Sequence, residues 1–150
     1  MDNFDRKILQ VLQAKPSATM AELADEVGLS QTPCWRRLKA LESEGIIARR
    51  AVILDARKLG FAVNVYAQVK IGRHDESTLD AFEEEVRQHP EIVECFSMSG
   101  DSDYVMRVVA RSIEDYEQFL KKVLLHLPGV AALNSSFALK LVKKTTDLPV

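Results

Sequence analysis

The stretch from Thr19 to Glu44 constrains the fold more than any other part of this 150-residue sequence. Thr19 and Glu22 have the spacing of a capping box, in which a hydroxyl and a carboxylate satisfy backbone N–H groups at the start of a helix. Gly28 is expected to end that helix, because glycine readily adopts the left-handed conformation of a helix C-terminus. Pro33 is tolerated in the first turn of a second helix. The stretch therefore predicts two short helices joined by a tight turn.

The second of these helices has two different sides. Its helical period buries Leu38 and Leu41 together with Trp35, or with Cys34 in its place, and the period alone does not choose between the two. The exposed, N-terminal side is polar and basic, with Gln31, Thr32, Arg36, Arg37 and Lys39. This arrangement matches the helix-turn-helix that enters the DNA major groove. Similar helix pairs also occur in proteins that never bind DNA, so the spacing alone leaves both interpretations open.

The charge distribution favours DNA binding. The formal net charge is −2, yet residues 31–60 hold seven Lys and Arg against three Asp and Glu. A basic segment attached to an acidic remainder fits a DNA-reading end joined to a part with another task. The alternative is an uneven surface charge without any partner.

Composition narrows the class of protein. A hydrophobic content of 47% is enough for a core, and no apolar run approaches the length that crosses a bilayer. Cys34 and Cys95 lack the spacing of metal ligands, which favours two reduced thiols. We therefore expect a soluble, cytoplasmic protein without a membrane partner.

The first 62 residues are predicted to form the DNA-binding domain, with the helix-turn-helix at about 20–39. A first helix from Phe4 to Ala14 has apolar residues at helical spacing and is expected to close the core. After Gly45, residues 46–54 predict two short strands or one bent strand. These resemble a wing, whose Arg49 and Arg50 could contact phosphates, although a simple edge hairpin is an equal alternative.

From Val63 onwards the pattern changes to β-α-β-β-α-β, which defines a second domain over residues 63–150. The predicted order is a strand over 63–71, a helix over 76–88, strands over 92–98 and 104–110, a helix from 112 to 127 and a last strand over 130–142. This is the ferredoxin-like arrangement of four antiparallel strands backed by two helices, so the fold class is α+β. The uncovered sheet face carries too many apolar side chains to stay in water. We therefore expect dimerisation sheet to sheet, which also suits two DNA half-sites.

Four motifs carry a resemblance that spans nearly the whole chain. They are Asp5–Leu9; Val27–Leu38 with Leu41-Glu42 and Gly45-Ile46-Ile47; Ser99–Tyr104; and Leu127–Val130 with Ser135–Lys140. In this order they resemble the Lrp/AsnC (feast/famine) family of bacterial and archaeal transcription regulators. The resemblance implies a winged helix-turn-helix followed by a ferredoxin-like ligand-sensing domain. Members often have an aliphatic residue at the position of Trp35, which implies a largely buried core role for this side chain. It also implies homodimers that assemble into octamers or similar particles on double-stranded DNA of the nucleoid, and a small amino acid effector bound where dimers meet.

The same resemblance implies which residues bind the effector. They are Gly100, Asp101, Asp103 and Tyr104 in one turn, and Ser135, Ser136 and Phe137 on the last strand. A zwitterion needs N–H groups for its carboxylate and a carboxylate or carbonyl for its ammonium, and a Gly-Asp turn offers both. Capping of the turn is the alternative for each of the two aspartates. Leucine-responsive members often have Tyr in place of Ser136 and a smaller apolar residue in place of Phe137. The resemblance therefore does not determine which side chain the effector carries.

Other functions have little support in the sequence. The three histidines, His74, His89 and His126, form no ligand or general-base spacing with one another or with the cysteines. No glycine-rich nucleotide-binding motif is present. We therefore expect no catalytic residues, no metal and no cofactor. A metal-responsive helix-turn-helix regulator and, more remotely, a small ferredoxin-like enzyme are the alternatives.

Overall fold

The computed structural model describes residues 1–150, which divide into two compact units. Unit 1 comprises Met1–Ile53 together with Lys143–Val150, and unit 2 comprises Leu54–Val142. The expected domain boundary between residues 62 and 63 stays a prediction. By compactness, residues 54–62 group with unit 2 and the C-terminal tail groups with unit 1.

Unit 1 contains three helices, which are α1 (Asn3–Ala14), α2 (Met20–Val27) and α3 (Gln31–Ser43). Its buried core consists of Ile8, Leu9, Leu23, Ala24, Val27, Cys34, Leu38 and Leu41. The helix α1 begins at Asn3, one residue before the prediction, because Asp2 caps it. The Asp2 carboxylate accepts hydrogen bonds from the backbone N–H groups of Phe4 and Asp5, at 2.9 and 3.0 Å.

The predicted turn between α2 and α3 is present. The Thr19 N–H group donates to the Glu22 carboxylate at 2.7 Å, and the Glu22 N–H group donates to the Thr19 hydroxyl at 3.3 Å. Gly28 adopts a left-handed conformation with φ of 80° and ends α2. Ser30 occupies the N-cap of α3 but makes no capping hydrogen bond through its side chain. The orientation of α3 against α2 is therefore fixed by the glycine turn and by core packing, and not by a side-chain cap at Ser30.

Two predictions for unit 1 are wrong. Trp35 is 50% exposed, whereas Cys34 is fully buried, so the smaller neighbour fills the core position. Residues 46–54 form no strand, because only the Ile47 N–H group makes a backbone hydrogen bond there, to Leu41 at 3.1 Å. A strand requires a partner for its backbone groups, and none lies opposite this segment within the chain.

The C-terminal tail packs on α1 instead of extending the last strand. The Gln10 amide donates to the Val150 carbonyl at 2.9 Å. Gln13 and Leu148 exchange two hydrogen bonds, of 3.0 and 2.7 Å. The last strand ends at Phe137 and not at the predicted residue 142.

Unit 2 has the predicted β-α-β-β-α-β order. Its elements are β1 (Val63–Ile71), α4 (Glu76–Gln88), β2 (Ile92–Ser97), β3 (Tyr104–Ala110), α5 (Ile113–Lys122) and β4 (Val130–Phe137). The four strands form one antiparallel sheet in the order β2-β3-β1-β4. The helix α5 is shorter than predicted, since a 3₁₀ turn over Leu124–His126 follows it. The predicted α+β, ferredoxin-like fold class is confirmed.

The sheet of unit 2 has a covered and an open face. Alternate residues of β1 and β3 pack against α4 and α5 around the fully buried Phe82. The other residues of the strands point to the open face, where Arg107 of β3 makes two hydrogen bonds to Glu94 of β2, at 3.1 and 3.0 Å. No helix in either unit is both long and apolar enough to span a bilayer.

Candidate functional site

The outer side of α3 carries the residues predicted to bind DNA. Cys34, Leu38 and Leu41 hold the inner side in the core of unit 1. Gln31, Thr32, Arg36 and Lys39 are exposed, as are Arg49 and Arg50 beyond the helix. Arg36 and Arg49 take part in no ion pair, so their guanidinium groups are available to an anionic partner.

Arg37 differs from its neighbour, because its guanidinium group is already engaged. It donates to the carboxylates of Asp2 and Asp5 at 2.7 and 2.8 Å. The same group lies 5.4 Å from the centre of the Phe4 ring, within the range of a cation–π contact. The hydrogen bonds that Arg37 donates to Asp5 and to Asp2 raise the pKa of Arg37. This cluster ties α3 to the first turn of α1, and the sequence offered no signal for it because the partners are more than 30 residues apart.

Lys39 and Arg50 share one acidic neighbour. The Lys39 ammonium group donates to Glu42 at 2.7 Å, and the Arg50 guanidinium group lies 3.6 Å from the same carboxylate. The hydrogen bond from Lys39 lowers the pKa of Glu42. Both cations are exposed, and such surface pairs exchange readily for a phosphate contact.

The turn between β2 and β3 is fixed to β1 through Asp103. One oxygen of its carboxylate accepts from the Ile71 N–H group at 2.7 Å, and the other lies 2.8 Å from His74 Nε2. Its backbone N–H group donates to the Val69 carbonyl at 2.9 Å, and its carbonyl accepts from Met98 at 2.9 Å. The hydrogen bond from Ile71, followed by that from His74, lowers the pKa of Asp103. Sequence reasoning missed His74, since only the register of β1 with β3 brings it to this turn.

The other predicted residues of this turn have different environments. Gly100 has φ of 113°, and a Cβ added to it would meet no atom within 4 Å, so its backbone conformation is what requires glycine. Asp101 is exposed. Tyr104 is buried, and its hydroxyl donates to Glu83 at 2.9 Å. Burial, followed by this hydrogen bond, raises the pKa of Tyr104 to about 12.

The β4 residues of the predicted effector site lie on both sides of the sheet. The Ser135 hydroxyl is 2.5 Å from the Tyr116 hydroxyl of α5, on the covered side. Phe137 is 41% exposed and meets the Tyr116 ring edge-on, with 5.4 Å between the ring centres. Ser136 is opposite Tyr66 on the open side.

The two groups of predicted effector residues do not meet within one copy of unit 2. Tyr104 is paired with Val69 of β1, and Ser136 is paired with Tyr66 on the other side of β1. They are separated by three residues along β1 and by two strand spacings across the sheet, which corresponds to roughly 14 Å. A ligand of amino acid size therefore cannot contact both groups in a single chain.

A groove of about 410 Å³ lies between α4 and β2. It is lined by Glu83, Val86, Arg87, Ile92, Val93, Glu94, Cys95, Ser97 and Tyr104. Of the seven predicted effector residues, only Tyr104 belongs to this lining. Neither in this groove nor in the rest of the chain is a group of three or more His, Cys, Asp and Glu side chains arranged to hold a metal ion.

Comparison with known proteins covers both units. Residues 1–48 match a winged helix-turn-helix DNA-binding family model, and residues 64–148 match the model of the Lrp/AsnC ligand binding domain. The DNA-binding transcriptional activator DecR of Escherichia coli K12 is 35% identical, with alignment over 100% of this chain and 99% of that protein. The glutamate uptake regulatory protein of Zymomonas mobilis is 37% identical over 100% of this chain and 91% of its own length.

A solved structure shows the same fold. The complex of the transcriptional regulator NMB0573 from Neisseria meningitidis with L-Met superposes with a TM-score of 0.95 and 37% sequence identity. The superposition covers 99% of this chain and 96% of that chain. The shared architecture therefore includes the helix-turn-helix as well as the four-stranded sheet.

Proposed function

The chain belongs to the Lrp/AsnC family of DNA-binding transcriptional regulators, and from that premise we propose that it binds specific duplex sequences as a homo-oligomer controlled by an amino acid. The observation that carries the proposal is the two-sided helix α3. Its inner side is fixed by buried apolar residues, and its outer side presents Thr32, Arg36 and Lys39 to solvent. A rigid helix with polar and cationic side chains at its N-terminal half has the form that reads base edges and phosphates.

We assign DNA contact to all seven residues predicted for it, with two kinds of role. Arg36, Lys39, Arg49 and Arg50 provide positive charge for phosphates, and Gln31 and Thr32 provide hydrogen bonds for base edges. Arg37 contributes charge from within its cluster with Asp2 and Asp5 and orients α3 on α1. The contribution of each cation depends on whether it already has an acidic partner.

The proposed effector site is built from two copies of the chain. One copy supplies the turn with Gly100, Asp101, Asp103 and Tyr104, and a second supplies Ser135, Ser136 and Phe137. The separation of these groups within one chain supports this division. When Tyr116 donates to Ser135, the Ser135 hydroxyl hydrogen remains free to donate to a ligand carboxylate. The L-Met complex of the related NMB0573 supports an amino acid as the ligand class.

Self-association is supported by apolar groups that a single chain leaves exposed. On the open sheet face Tyr66 and Phe96 lie in solvent beside partly buried Val105 and Val109. Two segments that form neither helix nor strand, residues 52–54 and 139–142, also expose apolar side chains. Pairing with a second copy would satisfy both features, and we propose a dimer that assembles further to an octamer or a similar particle.

The proposal places the protein on the cytoplasmic nucleoid as a regulator rather than an enzyme. The members of its family named above are transcriptional regulators, which supports a regulatory role. The family's ligand-binding domain favours a small organic effector over a metal-responsive mechanism.

The decisive experiment combines ligand screening with sedimentation. Each proteinogenic amino acid is tested for an increase in melting temperature, because a ligand that binds only the folded protein stabilises it. The hits are then tested for their effect on the distribution of oligomers. Asp103→Asn is expected to weaken the response, whereas Asp80→Asn, which makes the same charge change at an exposed residue of α4, is expected to leave it intact.

Two results would contradict the proposed effector mechanism. One is the absence of any amino acid that changes melting temperature or assembly. The other is an equal response in the Asp103→Asn and Asp80→Asn variants, which would place the site away from the β2–β3 turn.

A further inference from the structure

Trp35 is an exposed aromatic residue on a helix that is otherwise polar outside. It is the only tryptophan in the chain, and half of its surface is in contact with solvent. No other large hydrophobic residue of α3 is exposed. Its absence from the core follows from the full burial of Cys34, which with Leu38 and Leu41 already completes the inner side of the helix. The tryptophan side chain therefore belongs neither to the buried core of unit 1 nor to the partly buried hydrophobic residues packed against that core.

The position of Trp35 on α3 places it among the residues assigned to DNA. Thr32, Trp35, Arg36 and Lys39 follow the spacing i, i+3, i+4 and i+7, and all four are exposed. Residues three and four apart are neighbours on a helix surface, so the indole lies between the Thr32 and Lys39 side chains. Recognition helices present their base-reading residues to the major groove with this spacing.

The surroundings of Trp35 distinguish DNA from a protein partner. A protein-binding surface has an apolar centre formed by several side chains, with charges at the rim. Trp35 is instead a single apolar side chain within a polar and cationic stripe. The major groove offers a matching surface, since the C5-methyl group of thymine is its one apolar feature among hydrogen-bonding groups and phosphates.

We propose that Trp35 is a specificity-determining residue that recognises thymine through apolar contact between its indole ring and the C5-methyl group. This inference rests on the DNA-binding function and adds the base that one residue reads. Arg36 and Lys39 hold the flanking phosphates and bring the ring to the groove floor. Loss of one buried methyl contact corresponds to about 0.8 kcal/mol, or about a fourfold change in affinity.

The test compares selected DNA with its deoxyuridine analogues. Duplexes are first selected from a random pool with the wild-type protein, and each thymine is then replaced in turn by deoxyuridine, which lacks only the methyl group. For wild type we expect at least one position at which affinity falls about fourfold. With Trp35→Gln the same replacement should have no effect. Ile113→Gln, which removes an exposed apolar side chain from α5, should behave as wild type.

A second measurement needs no substitution. Trp35 is the sole source of tryptophan fluorescence, so quenching by acrylamide reports the exposure of this residue alone. Selected duplexes should reduce the quenching, whereas a random duplex of equal length should reduce it less. Retained sensitivity to deoxyuridine in Trp35→Gln, or equal quenching with and without selected DNA, would overturn the inference. If the wild type enriches no duplex and shows no salt-dependent DNA binding, the proposed function itself fails.

Discussion

The hydrogen bond between Tyr116 and Ser135 allows a quantitative test of unit 2. Tyr116 is 2% exposed, so Ser135→Ala leaves its hydroxyl without a partner and without water. An unsatisfied buried hydroxyl costs about 1–3 kcal/mol. Tyr116→Phe removes the buried hydroxyl itself and leaves only the half-buried Ser135, which can bind water. The expected cost of that change is about 0.5–1.5 kcal/mol.

We therefore expect Ser135→Ala to lower the free energy of unfolding more than Tyr116→Phe does. For a chain of this length each kcal/mol lowers the melting temperature by about 2–4 °C, so Ser135→Ala should lower it by about 2–12 °C. The double variant should be no less stable than Ser135→Ala, because no hydroxyl is left unpaired. The coupling between the two sites should therefore exceed about 0.5 kcal/mol.

Urea unfolding followed by far-UV circular dichroism measures these free energies at one fixed protein concentration. Fluorescence of Trp35, which lies in unit 1, is recorded in parallel to show which unit loses stability. The reasoning would be refuted by a Ser135→Ala variant that is as stable as Tyr116→Phe, or by losses that add in the double variant. Either result would mean that the Tyr116 hydroxyl finds another partner.

Three further predictions concern charge, acid stability and backbone conformation. In DNA titrations, Arg36→Gln should lower the slope of the logarithm of the binding constant against the logarithm of the salt concentration by about one unit. Arg37→Gln should lower it by less, since Asp2 and Asp5 already neutralise Arg37. Equal slopes for the two variants would contradict this. Asp75 caps α4, and hydrogen bonds from Ser77 and Thr78 lower its pKa from 3.8 to about 2. The stabilisation that ionised Asp75 provides is therefore complete above about pH 4 and is lost as the pH falls toward 2. Between about pH 4 and pH 2 the urea midpoint of Asp75→Asn should therefore change less than the urea midpoint of wild type. Gly129→Ala should lower the melting temperature more than Gly100→Ala, because a Cβ at residue 129 would lie 2.4 Å from Thr78 Cγ2. Adding Thr78→Ser, which removes Cγ2, should restore part of that loss.

The sequence predicted those elements whose signals are local. The capping box of Thr19 and Glu22 and the stop at Gly28 determine α2 within a few residues, and both are present in the structure. The helix α4 has the predicted bounds, since Asp75 caps its start and Pro90 follows its end. These features need no knowledge of distant parts of the chain, because their hydrogen bonds connect residues close in sequence.

Features that depend on distant partners or on fine geometry were not predictable. Trp35 and Cys34 are adjacent on the border of the helix, and the helical period does not decide which of them faces inward. Trp35 was expected inside because of the family resemblance, but Cys34 is the residue that packs in the core with side chains of α1 and α2. The contact of Asp103 with His74 spans 29 residues and depends on the register of β1 with β3. The two short strands, or one bent strand, predicted over residues 46–54 are absent because β-branched and apolar residues report a tendency to pair and not the presence of a partner.

The network around Asp103 indicates how a ligand at the turn could alter assembly. Three hydrogen bonds connect Asp103 to β1 and to the preceding β2 edge, through Ile71, Val69 and Met98. Because β1 lies between β3 and β4, it connects the turn to the strand that carries Ser135. An effector changes an equilibrium only by its difference in affinity between the two states, typically about 1–3 kcal/mol. One or two hydrogen bonds that differ between assembly states supply this amount. The allosteric step of the proposed mechanism therefore requires no large rearrangement of unit 2, only a small shift of the turn against β1.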